Sequence, residues 1–390
     1  MQLVKDTSAL AALCARLSQN DYITIDTEFM RETTYWSRLC LVQLAAPDGE
    51  AAIVDPLSDE LSLEPLDELL ADPDTLKVFH AARQDIEIFY HRAGNVPTPV
   101  FDTQIAGMVC GFGESAGYET LVRKIAKEKI DKSSRFTDWS RRPLTKRQLN
   151  YAIADVTHLR VIYEKLDKRL RKNGRAAWLN EEMAVLTSPN SYALRPQDAW
   201  RRIKTRSTNQ RLHAVLREVA AWREREAQSR NVPRNRVVRD EALLEIAAHP
   251  PKSATELSRI RGLHRGFAEG RLGDGVLDAV GSAMALADDD LPVIDRPEPL
   301  PSGIGPLVEL FKVLLRMKSE EHHVAQKLIG QVADLERIAA DDNADVAALH
   351  GWRREIFGED ALALKNGRLA LAADGRKVTL VPINNGQAEA

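Results

Sequence analysis

Strand-like runs crowd into the first 82 residues of this chain, and from residue 209 onward only helical patterns follow. YITIDTEF (22–29), LCLVQLAA (39–46), AAIVDP (51–56) and KVFHAA (77–82) are short apolar runs bounded by polar, turn-forming stretches, which is the signature of strands. The first three follow one another closely, so hairpins or a meander are expected. Helical spacing appears in ALAALCARL (9–17), SLEPLDELLAD (62–72), ARQDIEIFYHRAG (82–94, ended by Gly94), FDTQIAGMV, GYETLVRKIAKEK and the long amphipathic stretch 145–174. Early strands followed by helices predict an α/β or α+β domain over residues 1–190.

A proline-containing stretch of little periodicity marks a linker at 191–208. NQRLHAVLREVAAWREREAQSR then opens a helical domain expected over 209–289. The acidic, Pro- and Gly-rich 290–305 reads as a second linker, 306–382 as a second small helical domain, and 383–390 as a disordered tail. LLEIAAHPPKSATELSRIRGL and LERIAADDNADVAALHGWR share an apolar helix ending in IAA, a polar turn and a new helix start. That echo suggests a duplicated helical unit.

Composition excludes little. Lys and Arg total 54 against 57 Asp and Glu, so a nucleic-acid partner would have to be met by local patches rather than net charge. Cys14, Cys40 and Cys110 form neither a disulfide framework nor a zinc-ligand spacing. No secretory leader, no run of eighteen apolar residues and no GxGxxG after an early strand is present. These features predict a cytoplasmic protein with no membrane segment.

The unusual residues are acids within apolar surroundings. Asp26 and Glu28 stand at i and i+2 on one strand and project from one face. Asp85 follows the strand at 77–82, Asp102 has the position of a helix N-cap, and Tyr151 and Asp155 stand one turn apart on the long helix. Each has a plain structural reading when taken alone, such as a favourable charge at a helix N-terminus for Asp85. Together they can converge on one crevice. Clustered carboxylates suit hard divalent cations, Mg²⁺ or Mn²⁺, and two such ions suit in-line cleavage of a phosphodiester. Asp26 would bridge both ions, Glu28 and Asp155 would hold the one that activates water, and Asp85 would help hold the other. The Tyr151 hydroxyl would orient the attacking water rather than take its proton, since a phenol ordinarily titrates near pH 10.

The motifs DTEF (26–29), FHAARQDIEIF (79–89) and RFTDWSRRPLTKRQLNYAIADVTHL (135–159) resemble those of the ribonuclease D family, in the tyrosine subclass of the DEDD exonucleases. Thr137 stands where that pattern has Ser, keeping the hydroxyl. WREREAQSRNVPRNRVVRDEALLEIA resembles the first of the family's two C-terminal HRDC domains, and WRREIFGEDALAL more weakly the end of the second. The resemblance implies a ribonuclease H-like 3′→5′ exonuclease domain with a mixed central sheet, followed by two all-α HRDC-type domains. It implies Asp26, Glu28, Asp85 and Asp155 as metal ligands, Tyr151 as the catalytic tyrosine, and 5′-mononucleotides released from RNA with a free 3′ end. The family's usual substrates are tRNA precursors, trimmed at the 3′ trailer. A monomer is expected.

Arg and Lys outnumber acids between 129 and 147 and again between 196 and 240, where they could grip a phosphate backbone without reading sequence. Lys132, Arg135, Arg141 and Arg142 are candidate substrate contacts because they precede Tyr151 closely. Phe29 is a candidate wedge against the terminal base, and Trp139 a candidate stacking surface; both also read as core. The competing readings are a DNA-directed exonuclease, which the motifs alone do not separate from an RNA-directed one, and a catalytically silent RNA-binding protein, which the complete acid set opposes.

Overall fold

The computed structural model describes residues 2–294 and 299–383. The tail expected at 383–390 lies outside the described residues from 384 onward, as do residues 295–298 of the second expected linker. No helix among the described residues is long and apolar enough to cross a membrane.

Six strands form one mixed sheet: β1 (Gln2–Val4), β2 (Tyr22–Met30), β3 (Arg38–Ala45), β4 (Ala51–Val54), β5 (Leu76–Phe79) and β6 (Val100–Asp102). Their spatial order is β1-β4-β3-β2-β5-β6. The meander β2-β3-β4 is antiparallel, as its short connections predict, while β1, β5 and β6 add parallel pairs at the two sides. The edge strands β1 and β6 are only three residues long, too short to announce themselves by alternation. β6 also takes Phe101 from the helix expected there, because Phe101 pairs across to Val78 and is buried.

Helices α1 (Thr7–Leu17), α2 (Glu64–Ala71), α3 (Arg83–Ala93), α4 (Thr103–Val109), α5 (Tyr118–Leu121), α6 (Lys146–Lys172) and α7 (Ala176–Leu186) complete this domain. Gly94 ends α3 at φ 79°, where its N–H reaches Tyr90 O at 2.8 Å. Thr145 and Gln148 start α6 with a reciprocal capping box. The spacing of Ala152, Val156, Leu159, Ile162, Leu166 and Leu170 lays one buried stripe of α6 along β2, β3 and β4. Each large aliphatic side chain so buried contributes about 1.5–3 kcal/mol. The Thr24 hydroxyl donates to Val156 O at 2.9 Å and ties the central strand to this helix.

Two helical sets follow. The first comprises α8 (Gln210–Ser229), α9 (Arg234–Val237), α10 (Asp240–Ala248), α11 (Ala254–Leu257), α12 (Arg265–Ala268) and α13 (Arg271–Met284). The second comprises α14 (Gly305–His322), α15 (Gln326–Ile329), α16 (Val332–Ala340), α17 (Gly351–Arg353) and α18 (Glu359–Lys365). Both begin with a long helix, then a one-turn helix, then a nine-residue helix ending in Ile-Ala-Ala. This is the echo seen in the sequence.

Two expectations are corrected. The stretch 191–208 is not a free linker: a 3-10 turn at Pro196–Arg202 runs along α8, because Ala199 and Ile203 bury their side chains in the core of the first helical set. The chain also does not stay helical to its end. β7 (Leu369–Asp374) and β8 (Lys377–Pro382) form a hairpin whose Leu371 and Leu380 pack back on the core.

The two helical sets relate differently to the sheet domain. Val308, Phe311, Leu314, Ile338 and Phe357 of the second set belong to the same continuous apolar core as the sheet. Trp178 stacks on Trp352 at 4.4 Å and 10°, Arg353 pairs with Glu181 at 3.0 Å and with Glu182, and Ala325 N–H reaches Met108 O at 3.1 Å. Gly111 sits at φ 80° with room for no side chain, since a Cβ there would lie 2.7 Å from His323 O. The first set has its own core, into which the β2–β3 loop inserts Tyr35. The Tyr35 hydroxyl donates to Glu224 and accepts from Arg234 at 2.9 Å and Gln228 at 3.1 Å. Trp36 N–H reaches Asn231 Oδ1 at 3.0 Å.

Candidate active site

β2 is paired on both sides only at its base. β5 matches it through Tyr22–Thr24, while β3 continues alongside to Met30. From Ile25 onward one edge of β2 is therefore free of β5, and this is the stretch that carries Asp26 and Glu28. The register with β3 shifts between Glu28 and Phe29, which face Leu41 and Leu39 and leave Cys40 unmatched.

Asp85 enters in the first turn of α3. The approach to that helix is fixed by Asp102, whose carboxylate accepts Ala81 N–H at 3.1 Å and Ala82 N–H at 2.8 Å while capping α4 through Gln104 N–H at 2.7 Å. Ala81 adopts φ 58° there, an unfavourable conformation for alanine that the two flanking bonds hold in place. Asp155 comes from α6, anchored at that turn by the Tyr118 hydroxyl donating to the Asp155 carbonyl.

One carboxylate oxygen each from Asp26, Glu28 and Asp155 lies within 4.8 Å of the others. Asp85 stands slightly apart. It is 7% exposed and receives the Thr27 hydroxyl, yet its charge still bears on Asp26 and Glu28. Burial pushes the Glu28 carboxyl up to about 9, with Asp155 and Asp85 adding to the shift and Arg135 opposing it. Burial likewise raises Asp155 to about 7, against the hydrogen bond from Tyr151 and the Arg135 charge, and Asp85 to about 7, against the bond from Thr27. Asp26 is also raised, by burial first and then by the other three acids. The Tyr151 phenol is raised by burial and by the carboxylates around it, so it stays protonated at neutral pH.

The donors are all hard oxygens, and their mutual repulsion is relieved by cations, so the residues fit divalent metal ions. A pH dependence follows. Groups whose carboxyls are raised on folding bind protons more tightly in the folded state. Without metal, stability should fall as pH rises from about 4, where the unfolded acids begin to ionise, toward about 9, where Glu28 does so in the folded state. Added Mg²⁺ or Mn²⁺ should raise the melting temperature most at the alkaline end of that window. A metal-induced shift equal at pH 5 and pH 9 would count against the cluster as the binding site.

Asp26 and Asp155 open on a cleft of about 400 Å³ walled also by His80, Gln104, Tyr118, Arg135 and Tyr151, among others. Burial pushes His80 down to about 4, so it is neutral, and its Nδ1 lies 3.0 Å from Thr103 Oγ1.

The expected substrate contacts divide. Arg135 is exposed and lines the cleft. Arg141 is exposed but paired with Asp138 at 3.1 Å. Phe29 is half-buried just past the register shift. The Lys132 side chain lies outside the described residues. Trp139 and Arg142 are corrected. Trp139 is 2% exposed and backs the Tyr151 ring at 6.0 Å, so no base can stack on it. Arg142 spends its donors on Asp55 at 2.5 and 2.7 Å, Cys40 O at 2.9 Å and Trp139 O at 2.8 Å, which makes it a brace between β3, β4 and the loop before α6. Sequence reasoning missed Thr27 and Tyr118. Thr27 lies between the two acids and so faces the other side of β2, a position from which alternation could have flagged it. Tyr118 gave no signal by spacing.

Comparison with known proteins agrees with this geometry. A 3′-5′ exonuclease family model matches residues 1–171, and an HRDC domain model matches residues 213–280. Ribonuclease D of Granulibacter bethesdensis is 53% identical over 382 residues, spanning 97% of this chain and 96% of its own length. Ribonuclease D of Nitrobacter hamburgensis is 53% identical over 381 residues, spanning 98% and 99%. The crystal structure of Escherichia coli RNase D, described as an exoribonuclease involved in structured RNA processing, superposes with a TM-score of 0.79 at 31% identity, covering 94% of this chain and 98% of that one. The chain therefore belongs to the ribonuclease D family of 3′→5′ exoribonucleases.

Proposed function

We propose that the protein shortens RNA from a free 3′ end by hydrolysis with two divalent ions, Mg²⁺ or Mn²⁺, and that its substrates include the 3′ trailers of tRNA precursors. In this reading residues 1–190 are the catalytic domain, and 209–289 and 306–382, the latter closing in the β7–β8 hairpin, are domains that hold the body of a structured RNA. The protein acts as a cytoplasmic monomer.

The observation that carries the reading is the convergence of Asp26, Glu28 and Asp155 within 4.8 Å, beside a cleft lined by Asp26, Asp155 and Tyr151. Asp26, Glu28, Asp85 and Asp155 would hold the ions, which supply charge to the attacking and leaving oxygens. Tyr151, kept protonated and bonded to Asp155, orients the water. Arg135, whose charge bears on Glu28 and Asp155, draws in the phosphate, and Phe29 borders the terminal nucleotide. The water oxygen joins the phosphorus and the bond to the penultimate 3′-oxygen breaks. That oxygen takes up a proton, leaving a new 3′-hydroxyl and a 5′-mononucleotide.

The test uses matched 5′- and 3′-labelled RNA and DNA oligomers, with Mg²⁺ or chelator. A metal-dependent ladder of 5′-labelled RNA, shortened one nucleotide at a time, is expected. Internal cuts, or equal loss under chelation, would overturn the reading. In the same assay Tyr151→Phe should lower kcat by roughly 10²–10³-fold, the range for loss of one positioned hydrogen-bond donor, while RNA affinity stays. An unchanged kcat would remove the hydroxyl from the chemistry.

A further inference from the structure

Among the described residues, Phe136 is the most exposed large hydrophobic side chain, at 90%, and the only aromatic in that group. A single exposed apolar residue is ordinary; this one differs in three respects. Its backbone is pinned rather than loose. Ser134 before it is buried, and Thr137 after it donates its hydroxyl to Ser134 O at 2.9 Å and accepts from Gln148 Nε2 at 3.2 Å, on the first turn of α6. Its ring carries the Arg135 guanidinium, 5.2 Å from the centroid. That same guanidinium lines the cleft and bears on the charges of Glu28, Tyr151 and Asp155.

We infer that Phe136 is a stacking platform for a base of the RNA strand at the mouth of the cleft, with Arg135 as the phosphate partner beside it. The inference rests on the exoribonuclease reading and names a substrate contact for it. A ring held on rigid backbone, with a cation over one face and the other face open to water, offers what an unpaired nucleotide needs: a π-surface for the base and a positive charge for the adjoining phosphate. Every base has a π-face, so this contact takes any sequence, as an enzyme that removes successive nucleotides requires. Bases within a duplex are stacked on both faces and cannot use it. Phe136 therefore favours a frayed or single-stranded 3′ end.

The experiment measures KM and kcat on a single-stranded RNA oligomer for the wild type, Phe136→Ala and Phe136→Trp, and repeats them with one abasic nucleotide placed in turn at each of the last few positions. Phe136→Ala should raise KM roughly 5- to 100-fold, as expected for loss of one stacked base, with kcat kept because the contact is uniform binding. Phe136→Trp should restore the wild-type KM. At one position the abasic substrate should erase the difference between wild type and Phe136→Ala. Thermal melting of all three proteins should coincide, since the side chain supports no core. Equal KM values for wild type and Phe136→Ala would overturn the inference, and so would a loss that abasic substitution leaves intact at every position. A wild type that shows no metal-dependent shortening would instead overturn the exoribonuclease reading.

Discussion

Asp26→Asn is expected to remove nearly all turnover while leaving RNA binding close to normal. Asp26 is the acid on which the other three press, and in the proposed mechanism it would be one of the four metal ligands. Losing such a ligand would forfeit several kcal/mol of transition-state stabilisation, which corresponds to about a thousandfold or more in kcat. Binding should survive because it draws on Arg135, on stacking and on basic surfaces away from the acids. The same substitution should raise the melting temperature of the metal-free protein, since one member of a repelling, buried cluster becomes neutral. This opposite movement of stability and activity separates loss of chemistry from loss of fold. Full turnover in Asp26→Asn would take this residue out of the metal site.

Arg234→Met should give the largest loss of stability. Glu224 is 2% exposed, and its carboxylate is satisfied by Arg234 through Nε and Nη2, both at 2.6 Å, and by the Tyr35 hydroxyl. Arg234 also lies over the Tyr35 ring at 4.6 Å. Removing the guanidinium leaves a buried carboxylate with one neutral donor, a change that costs about 3–5 kcal/mol. The loss should appear in denaturant titrations as earlier unfolding of the first helical set, and in faster proteolysis near 191–208. Adding Glu224→Gln should recover part of it, because the stranded charge is then gone. If Arg234→Met melts like wild type, the network is not what docks the β2–β3 loop.

The sequence yields the meander, the long helix with its cap and the acid pair on one strand face, because each rests on local periodicity. Strands β1 and β6 escape it, being three residues long and defined by pairing partners distant in sequence. The hairpin β7–β8 hides in an alanine-rich run that reads as helix. The site divides similarly. Alternation alone puts Asp26 and Glu28 together, and one helical turn relates Tyr151 to Asp155. That α6 lies across β2, bringing Asp155 near Asp26, depends on how its buried stripe packs; the sequence offered it as a convergence of the acids, and the family resemblance assigned it. Trp139 and Arg142 were misjudged for a physical reason. An aromatic or a cation near a site in sequence can face away from it, and only packing reveals that one backs Tyr151 and the other braces Asp55. Tyr35 gave no hint of reaching into a domain formed by residues some 190 positions later.

The shared core between the sheet domain and the second helical set bears on how the protein is made. Among the described residues, the surface at Met108, Gly111 and Trp178 is met by Ala325, His323 and Trp352 of the second helical set. At roughly 5–20 residues per second of synthesis, that surface is uncovered for on the order of ten to thirty-five seconds after α7 has left the ribosome. The nascent chain thus carries an apolar face that its own last segment must claim before another molecule does. Messages truncated ahead of α14 would yield a catalytic domain with every acid in its sequence and a persistent tendency to aggregate.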